Sequence, residues 1–250
     1  SPDGSGERLA ARWPQVPYVQ TGRNLGYTGG NNRGFDWARA QQADFVLVLN
    51  NDTELDAGCV SRLVETAESD PSIGAVAPKI LVHDEPRRVW FSGGQLDLLR
   101  GGGTHTRPGA LDAGDDTSPE PITFLTGCCF LISRRALDAV SGFDDSFFAY
   151  NEDADLSWRL LRAGFRLVYE PRARLTHKVP TEQVEPSLES RRRRWARDEE
   201  DMAVIQAAAP ELMADHIETD EKTRLAFAHQ LQLEVPLQKL LLIQQQTVRF

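Results

Sequence analysis

The sequence predicts an α/β fold: a mostly parallel sheet flanked by helices, with a mostly helical extension behind it. Three observations carry this reading. Phe45-Val46-Leu47-Val48-Leu49 is apolar at every position, the pattern of a strand buried on both faces of a parallel sheet. Cys59, Val60, Leu63, Val64 and Ala67 then recur on one helical face, and the apolar run 73–77 follows, a strand–helix–strand order that suggests a right-handed parallel crossover. Further alternating strand and helix patterns fill residues 122–170.

At 250 residues, the chain suits one α/β domain with an appendage, and 40% apolar content is enough for a core. Formal net charge is −9. That argues against a general nucleic-acid binder, which needs a basic face. It leaves room for nucleotide phosphates, because a metal ion can supply local positive charge. Cys59, Cys128 and Cys129 are odd in number and form no C-x-x-C pair. They fit a reduced, cytoplasmic compartment better than a disulfide scaffold, and buried small hydrophobes better than a zinc site. No 18-residue apolar run and no signal peptide is visible.

In chain order, residues 1–15 are turn-rich and residues 16–20 form a short strand candidate. Asn24-Leu25-Gly26-Tyr27-Thr28-Gly29-Gly30-Asn31-Asn32-Arg33-Gly34 then leads into a helical pattern from Phe35 to Ala40. Glycines ahead of a helix let backbone N–H groups approach an anion, although taken alone a tight turn is the plainer reading. The strand at 45–49 stops abruptly at Asn50-Asn51-Asp52. In open α/β sheets the ligand crevice lies beyond the carboxyl ends of the strands, so Asp52 stands where chemistry is expected. Its oxygens suit Mg²⁺ or Mn²⁺; a simple turn is the bland alternative.

Asp70-Pro71 stops the next helix. Residues 83–121 read as a long Gly/Pro/Asp-rich loop, functional or mobile, with a short strand at 89–91. Residues 122–125 and 129–132 are strand candidates around Gly127, and Arg134–Val140 reads as a short helix. Leu156, Leu160, Leu161 and Phe165 recur at helical spacing, with Asn151 as N-cap and Glu152, Asp153 and Asp155 in the first turn. The helix dipole alone favours acids there, but three of them behind Phe147, Phe148 and Tyr150 suggest the wall of a site. Residues 166–170 are the next strand, and His177 follows it. From 181 a separate helix with the run Arg191 to Arg194 begins; a solvated face is the plainer reading of that run, a phosphate- or membrane-facing patch the other.

Taken together, these stretches resemble the family 2 glycosyltransferases of the GT-A, Rossmann-like fold, particularly the bacterial rhamnosyltransferase-like group. The resemblance rests on Asn24-x-Gly26-Tyr27-x-Gly29-Gly30-Asn31-Asn32-x-Gly34 and Leu49-Asn50-Asn51-Asp52-Thr53. It continues through Thr126-Gly127, Gly142-Phe143-Asp144, Phe147-Phe148-x-Tyr150-x-Glu152-Asp153-x-Asp155-Leu156 and His177. It implies a domain over 1–180 with an extension over 181–250. Asp52 would hold a divalent metal, Mg²⁺ or Mn²⁺, on the donor diphosphate, and His177 would complete the metal site. Asp153, with Glu152 as second choice, would be the general base; Asn24, Gly30, Asn31 and Asn51 would lie by the donor nucleotide. The partners implied are a UDP- or dTDP-sugar and a glycan or lipid-linked acceptor, and the reaction a direct displacement with inversion at the inner face of the membrane or in the cytoplasm. In such enzymes a strand, a helix and a second strand come before a turn like Ser1-Pro2-Asp3-Gly4-Ser5, so the resemblance implies a chain truncated at its N-terminus. The competing expectations are a silent fragment that binds nucleotide or glycan without turnover, and a metal-dependent phosphate hydrolase.

Overall fold

The computed structural model describes residues 5–97, 102–115, 117–147 and 150–178. Helices α1 (Ser5–Arg12) and α2 (Gly26–Ala40) come first, followed by strands β1 (Phe45–Leu49) and β2 (Thr53–Leu55) and helix α3 (Cys59–Ser69). Strands β3 (Ile73–Val82), β4 (Val89–Phe91), β5 (Gly94–Asp97), β6 (Gly102–His105), β7 (Glu120–Ile122) and β8 (Cys129–Ser133) lead to helices α4 (Arg134–Val140) and α5 (Glu152–Arg162) and the long strand β9 (Arg166–His177).

The expected α/β class holds, and the sheet is mixed. Its order is β1-β8-β3-β9-β2, with β4 added to β3 and β7 to β9. β3 and β9 pair in parallel; β8 runs antiparallel between β1 and β3. The crossover through α3 therefore joins two strands that point the same way but are not neighbours. An apolar run cannot distinguish a parallel neighbour from an antiparallel one, and this is why the sequence suggested more parallel pairing than occurs.

Alternation along the central strands builds two cores. Ala75, Ala77, Phe130, Ile132, Leu167 and Tyr169 meet Phe35, Leu137, Leu156 and Leu160 from α2, α4 and α5. Val76, Leu131 and Val168, facing the other way, meet Cys59, Leu63 and Ala67 of α3. All ten residues of β3 are buried. Each fully buried aliphatic side chain contributes about 2 kcal/mol by leaving water. Strand β1, expected to be buried on both faces, has only Val48 fully buried, and Leu49 is 37% exposed. Among the described residues it is an edge strand, covered on one side by β8 alone.

Other expectations are corrected. Residues 5–12 are helical rather than turn-rich, and residues 16–20 form no strand: all five are exposed. The glycine-rich stretch is not a loop ahead of a helix but the first half of α2. The segment 83–121 contains β4, β5, β6 and part of β7, and its far end is tied to the sheet. There Lys79, 1% exposed on β3, reaches Asp112 at 2.8 Å, and Arg174 of β9 reaches the same carboxylate at 3.0 Å. The strand expected at 122–125 is β7, ending at Ile122. Asn151 occupies the cap position of α5, but in a left-handed conformation and without a side-chain capping bond. The expected extension over 181–250, with its arginine run, lies outside the described residues.

Candidate active site

The carboxyl ends of β1, β3 and β9 share one edge of the sheet, and the turn after β1 crosses it. Asn50 N–H extends the β1–β8 ladder by donating to Cys128 O at 2.9 Å, and the Thr53 hydroxyl closes the turn by donating to Asn50 O at 2.7 Å. Thr53 pairs with His177, and Lys178 N–H donates to Asp52 O at 2.9 Å. Asp52 is thus held between the ends of β1 and β9. Its carboxylate is about half exposed and lies 3.1 Å from His177 Nε2.

His177 is buried, and its Nδ1 makes no hydrogen bond. Its ring meets Trp90 edge-on at 4.8 Å, and Trp90 meets His105 in the same manner at 4.7 Å. His105 Nδ1 in turn lies 3.0 Å from Trp90 O. Burial lowers the His177 pKa, and the neighbouring Asp52 charge only partly opposes this. The imidazole is therefore neutral at pH 7, the form that can bind a cation.

A second wall stands across Gly127-Cys128. Gly127 N–H and Ala154 N–H each donate to Asp153, to Oδ2 and Oδ1 respectively, at 2.9 Å. Tyr27 O–H donates to Gly127 O at 2.5 Å. Gly127 has no room to spare: a Cβ there would stand 3.2 Å from the Tyr27 hydroxyl and 3.5 Å from Glu152 Oε1. Glu152 is 6% exposed with its Oε2 unpaired, whereas both carboxylate oxygens of Asp153 are hydrogen-bonded. Burial, and then the charge of Asp153, push the Glu152 carboxyl up to about 7. Burial also raises Asp153, opposed by the N–H groups of Gly127 and Ala154. The two walls are electrostatically close: the Cys128 thiol is pushed up by burial and then by the charge of Asp52, and the Tyr27 phenol by burial and then by Glu152 and Asp153.

The other expected site residues divide. Asn24 Oδ1 accepts from Gly26 N–H at 2.9 Å at the start of α2, and Asn31 Nδ2 donates to Tyr27 O at 2.9 Å within that helix. Gly30 is exposed on α2 with open space where a Cβ would be, and Asn51 is exposed in the turn. Asp155 leaves the wall: Arg159 holds it at 2.6 Å and also donates to Val140 O and Gly142 O. Of the aromatic residues ahead of these acids, Tyr150 is 62% exposed, and Phe148 lies outside the described residues.

Three contributors had no assigned role in the sequence. Tyr27 and Gly127 were motif positions only, and Trp90 was one residue of a short strand. Asn32 is a fourth: its amide donates to Phe143 O and accepts from Phe143 N–H, both at 2.9 Å, which ties the approach to α5 onto α2. Nothing in the local sequence signals a contact between residues 87 or 111 positions apart.

Among the described residues, no three His, Cys, Asp or Glu side chains gather as a metal cluster. Asp52 and His177 form a carboxylate–imidazole pair. That pair fits a divalent ion whose remaining ligands come from substrate phosphates and water, as is usual for Mg²⁺. A shallow cleft of about 500 Å³ lined by Asp44, Ser133, Arg134, Arg135 and Asp138 lies at the opposite ends of β1 and β8 and contains none of these groups. No helix among the described residues is long and apolar enough to cross a membrane.

Comparison with known proteins places this geometry in context. The chain is similar to the N-acetylglucosaminyl-diphospho-decaprenol L-rhamnosyltransferase of Mycobacterium tuberculosis, 33% identical over 196 residues, covering 71% of this chain and 63% of the relative. It is also similar to the low-salt glycan biosynthesis hexosyltransferase Agl10 of Haloferax volcanii, 25% identical over 195 residues, covering 73% of this chain and 59% of the relative. The chain thus spans less than two thirds of the length of these curated relatives. The crystal structure of GalNAc-T7 with UDP, GalNAc and Mn²⁺ superposes with a TM-score of 0.54 at 17% identity, over 71% of this chain and 35% of that one, a likeness of GT-A fold. A family model described as glycosyl transferase family group 2 matches residues 45–206. The chain belongs to that family.

Proposed function

We propose that this chain carries the catalytic site of an inverting glycosyltransferase, which moves a sugar from a nucleoside-diphosphate donor to an acceptor hydroxyl. One observation carries the reading: the carboxylate–imidazole pair Asp52 and His177 and the carboxyl pair Glu152 and Asp153 both adjoin the short segment Gly127-Cys128. The relatives' names support a hexose such as L-rhamnose and a lipid-linked acceptor. UDP and dTDP are the candidate nucleotides.

Asp52 and His177 would hold Mg²⁺ or Mn²⁺, which when bound offsets the charge of the leaving diphosphate. Asn24, Gly30, Asn31 and Asn51 are the candidate donor contacts. Asp153 takes the proton from the acceptor hydroxyl as that oxygen attacks the anomeric carbon. Backbone N–H groups of Gly127 and Ala154 fix its orientation. Glu152 is buried beside it, and burial followed by the charge of Asp153 pushes its carboxyl up to about 7. No second carboxylate is required as nucleophile, because a single displacement forms no covalent sugar–enzyme species. Residues 1–180 form the catalytic domain in this reading and 181–250 an appended unit. The three buried free cysteines suit a reducing, cytoplasmic compartment.

The test is transfer from dTDP-L-rhamnose and UDP-sugars to a short-chain polyprenyl-diphosphate N-acetylglucosamine, with Mn²⁺, for wild type and Asp153→Asn. General-base loss predicts a fall of about 100-fold or more in kcat with nucleotide affinity retained. Transfer undiminished in Asp153→Asn removes that residue from its role. Nucleotide binding with no turnover of any donor would favour a binding function instead.

A further inference from the structure

The two residues before α5 are held in an unfavourable way. Tyr150 has φ 70° and Asn151 φ 64°, consecutive non-glycine residues in the left-handed region. Asn tolerates that region; a bulky aromatic residue does so poorly, because its Cβ crowds the following carbonyl. Tyr150 is also 62% exposed, and among the described residues its ring and hydroxyl make no hydrogen bond and no ring contact. The fold gains nothing visible from the side chain, yet its backbone stands in a conformation that costs a bulky residue free energy. Strain of this kind persists only where surrounding contacts over-determine it, and it clusters at functional sites.

The chain is tied down on both sides of the pair, at Phe143 to Phe147 before it and at α5 after it. Asn32 grips Phe143 through both backbone groups and donates to Asp145 at 2.7 Å. The Thr28 hydroxyl donates to Phe147 O. Beyond the strained pair, Asn151 O accepts from Asp155 N–H at 3.0 Å, starting the helix. On the far side, the first residue of β6 approaches: a Cβ on Gly102 would lie 3.6 Å from Asn151 Oδ1. Tyr150 therefore stands at the rim of the acid wall, two residues before Glu152 and three before Asp153. The Asp52–His177 pair adjoins the same segment, Gly127-Cys128, from the ends of β1 and β9.

We infer that Tyr150 is the acceptor platform: the apolar face of an acceptor pyranose ring stacks on its phenol ring, which brings a hydroxyl to Asp153. The inference rests on the transferase reading and adds the residue that selects a ring-shaped acceptor. An exposed tyrosine offers a large, rigid, amphipathic face at low entropic cost. A sugar's C–H face complements it, and the neighbouring carboxylates take the hydroxyls.

The experiment reads saturation transfer by NMR from the full chain to methyl N-acetyl-α-D-glucosaminide, with Mn²⁺ and saturating UDP or dTDP. Calorimetry of the nucleotides runs alongside, for wild type, Tyr150→Phe, Tyr150→Ala and Tyr150→Gly. Wild type and Tyr150→Phe are expected to bind the glycoside within about twofold of each other, and Tyr150→Ala about tenfold more weakly, the loss of one aromatic stacking contact. Tyr150→Gly is expected to lose the glycoside equally while melting at a higher temperature than wild type, which separates a lost contact from a damaged fold. Nucleotide affinity should stay within twofold throughout. Glycoside binding unchanged in Tyr150→Ala, or absent from wild type that still binds nucleotide, overturns the platform alone. Failure of both nucleotides to bind wild type overturns the transferase reading and the platform with it.

Discussion

Glu152 makes the stability of this fold depend on pH in a direction that can be measured. Its carboxyl is 6% exposed, one oxygen is unpaired, and burial followed by the charge of Asp153 raises its pKa from 4.5 to about 7. A carboxyl with a higher pKa in the folded state binds its proton more tightly when folded. Its contribution is complete below pH 4.5 and is lost as pH rises through about 7. At about 1.4 kcal/mol per pH unit the whole effect is about 3 kcal/mol, of which about 2.5 kcal/mol falls between pH 5 and pH 8. This is an upper figure, because Asp153 titrates with it. Glu152→Gln keeps the shape and removes the charge. Urea unfolding of wild type and Glu152→Gln at pH 5, 6, 7 and 8 isolates the group. Buried His105 and His177 have lowered pKa values and act in the opposite sense, losing stability as pH falls through 6.5, but they are common to both proteins. The stability of Glu152→Gln relative to wild type should rise by about 2 kcal/mol from pH 5 to pH 8. Two stability profiles that stay parallel over that range would refute the argument that Glu152 is buried uncompensated.

Two further outcomes test what positions the site. Trp90→Ala should weaken Mn²⁺ binding by about tenfold, read by calorimetry with UDP present, while Trp90→Phe restores most of it; the Trp90 edge contact is what orients a His177 ring whose Nδ1 has no hydrogen bond, and orienting contacts of metal ligands are worth about this much. Asn32→Ala should destabilise the fold by about 2 kcal/mol in urea unfolding, since it strips two backbone groups of Phe143 of their partner, and should lower kcat by more than it changes donor affinity, because the loop leading to Asp153 loosens.

How much of this was visible in the chain depends on whether local chemistry or distant packing decided the outcome. The end of β1 was legible because an apolar run meets three polar residues in succession. Helices α3, α4 and α5 were legible because each buries one regular stripe and ends at Asp70-Pro71, Ser141-Gly142 or Gly164. The full length of β9 was not, because Pro171 signals a strand end. The strand instead continues past a register shift against β3, where Arg172 folds back to the buried Glu170 carboxylate at 2.7 Å. The glycine-rich stretch misled for a related reason. Glycine lowers helix propensity, but here Gly29 leaves room for Leu25, since a Cβ would stand 2.7 Å from it. Within the same turns Tyr27 reaches Gly127, Thr28 reaches Phe147 and Asn32 reaches Phe143. Those tertiary bonds outweigh the propensity.

The same distinction applies to the site. The acids and the histidine announce themselves by residue type and by place at strand and helix ends. What determines their behaviour does not. Asp153 is anchored by a backbone N–H 26 positions earlier, His177 meets a tryptophan 87 positions earlier, and Phe143 and Phe147, ahead of Tyr150, are tied to α2 side chains more than 100 positions away. In each case the reactive group is supplied locally and its orientation from a distance. In the proposed mechanism, substitutions at the bracing positions should therefore alter metal affinity, proton affinity or acceptor choice separately, whereas substitutions at Asp52, Asp153 or His177 should abolish transfer outright.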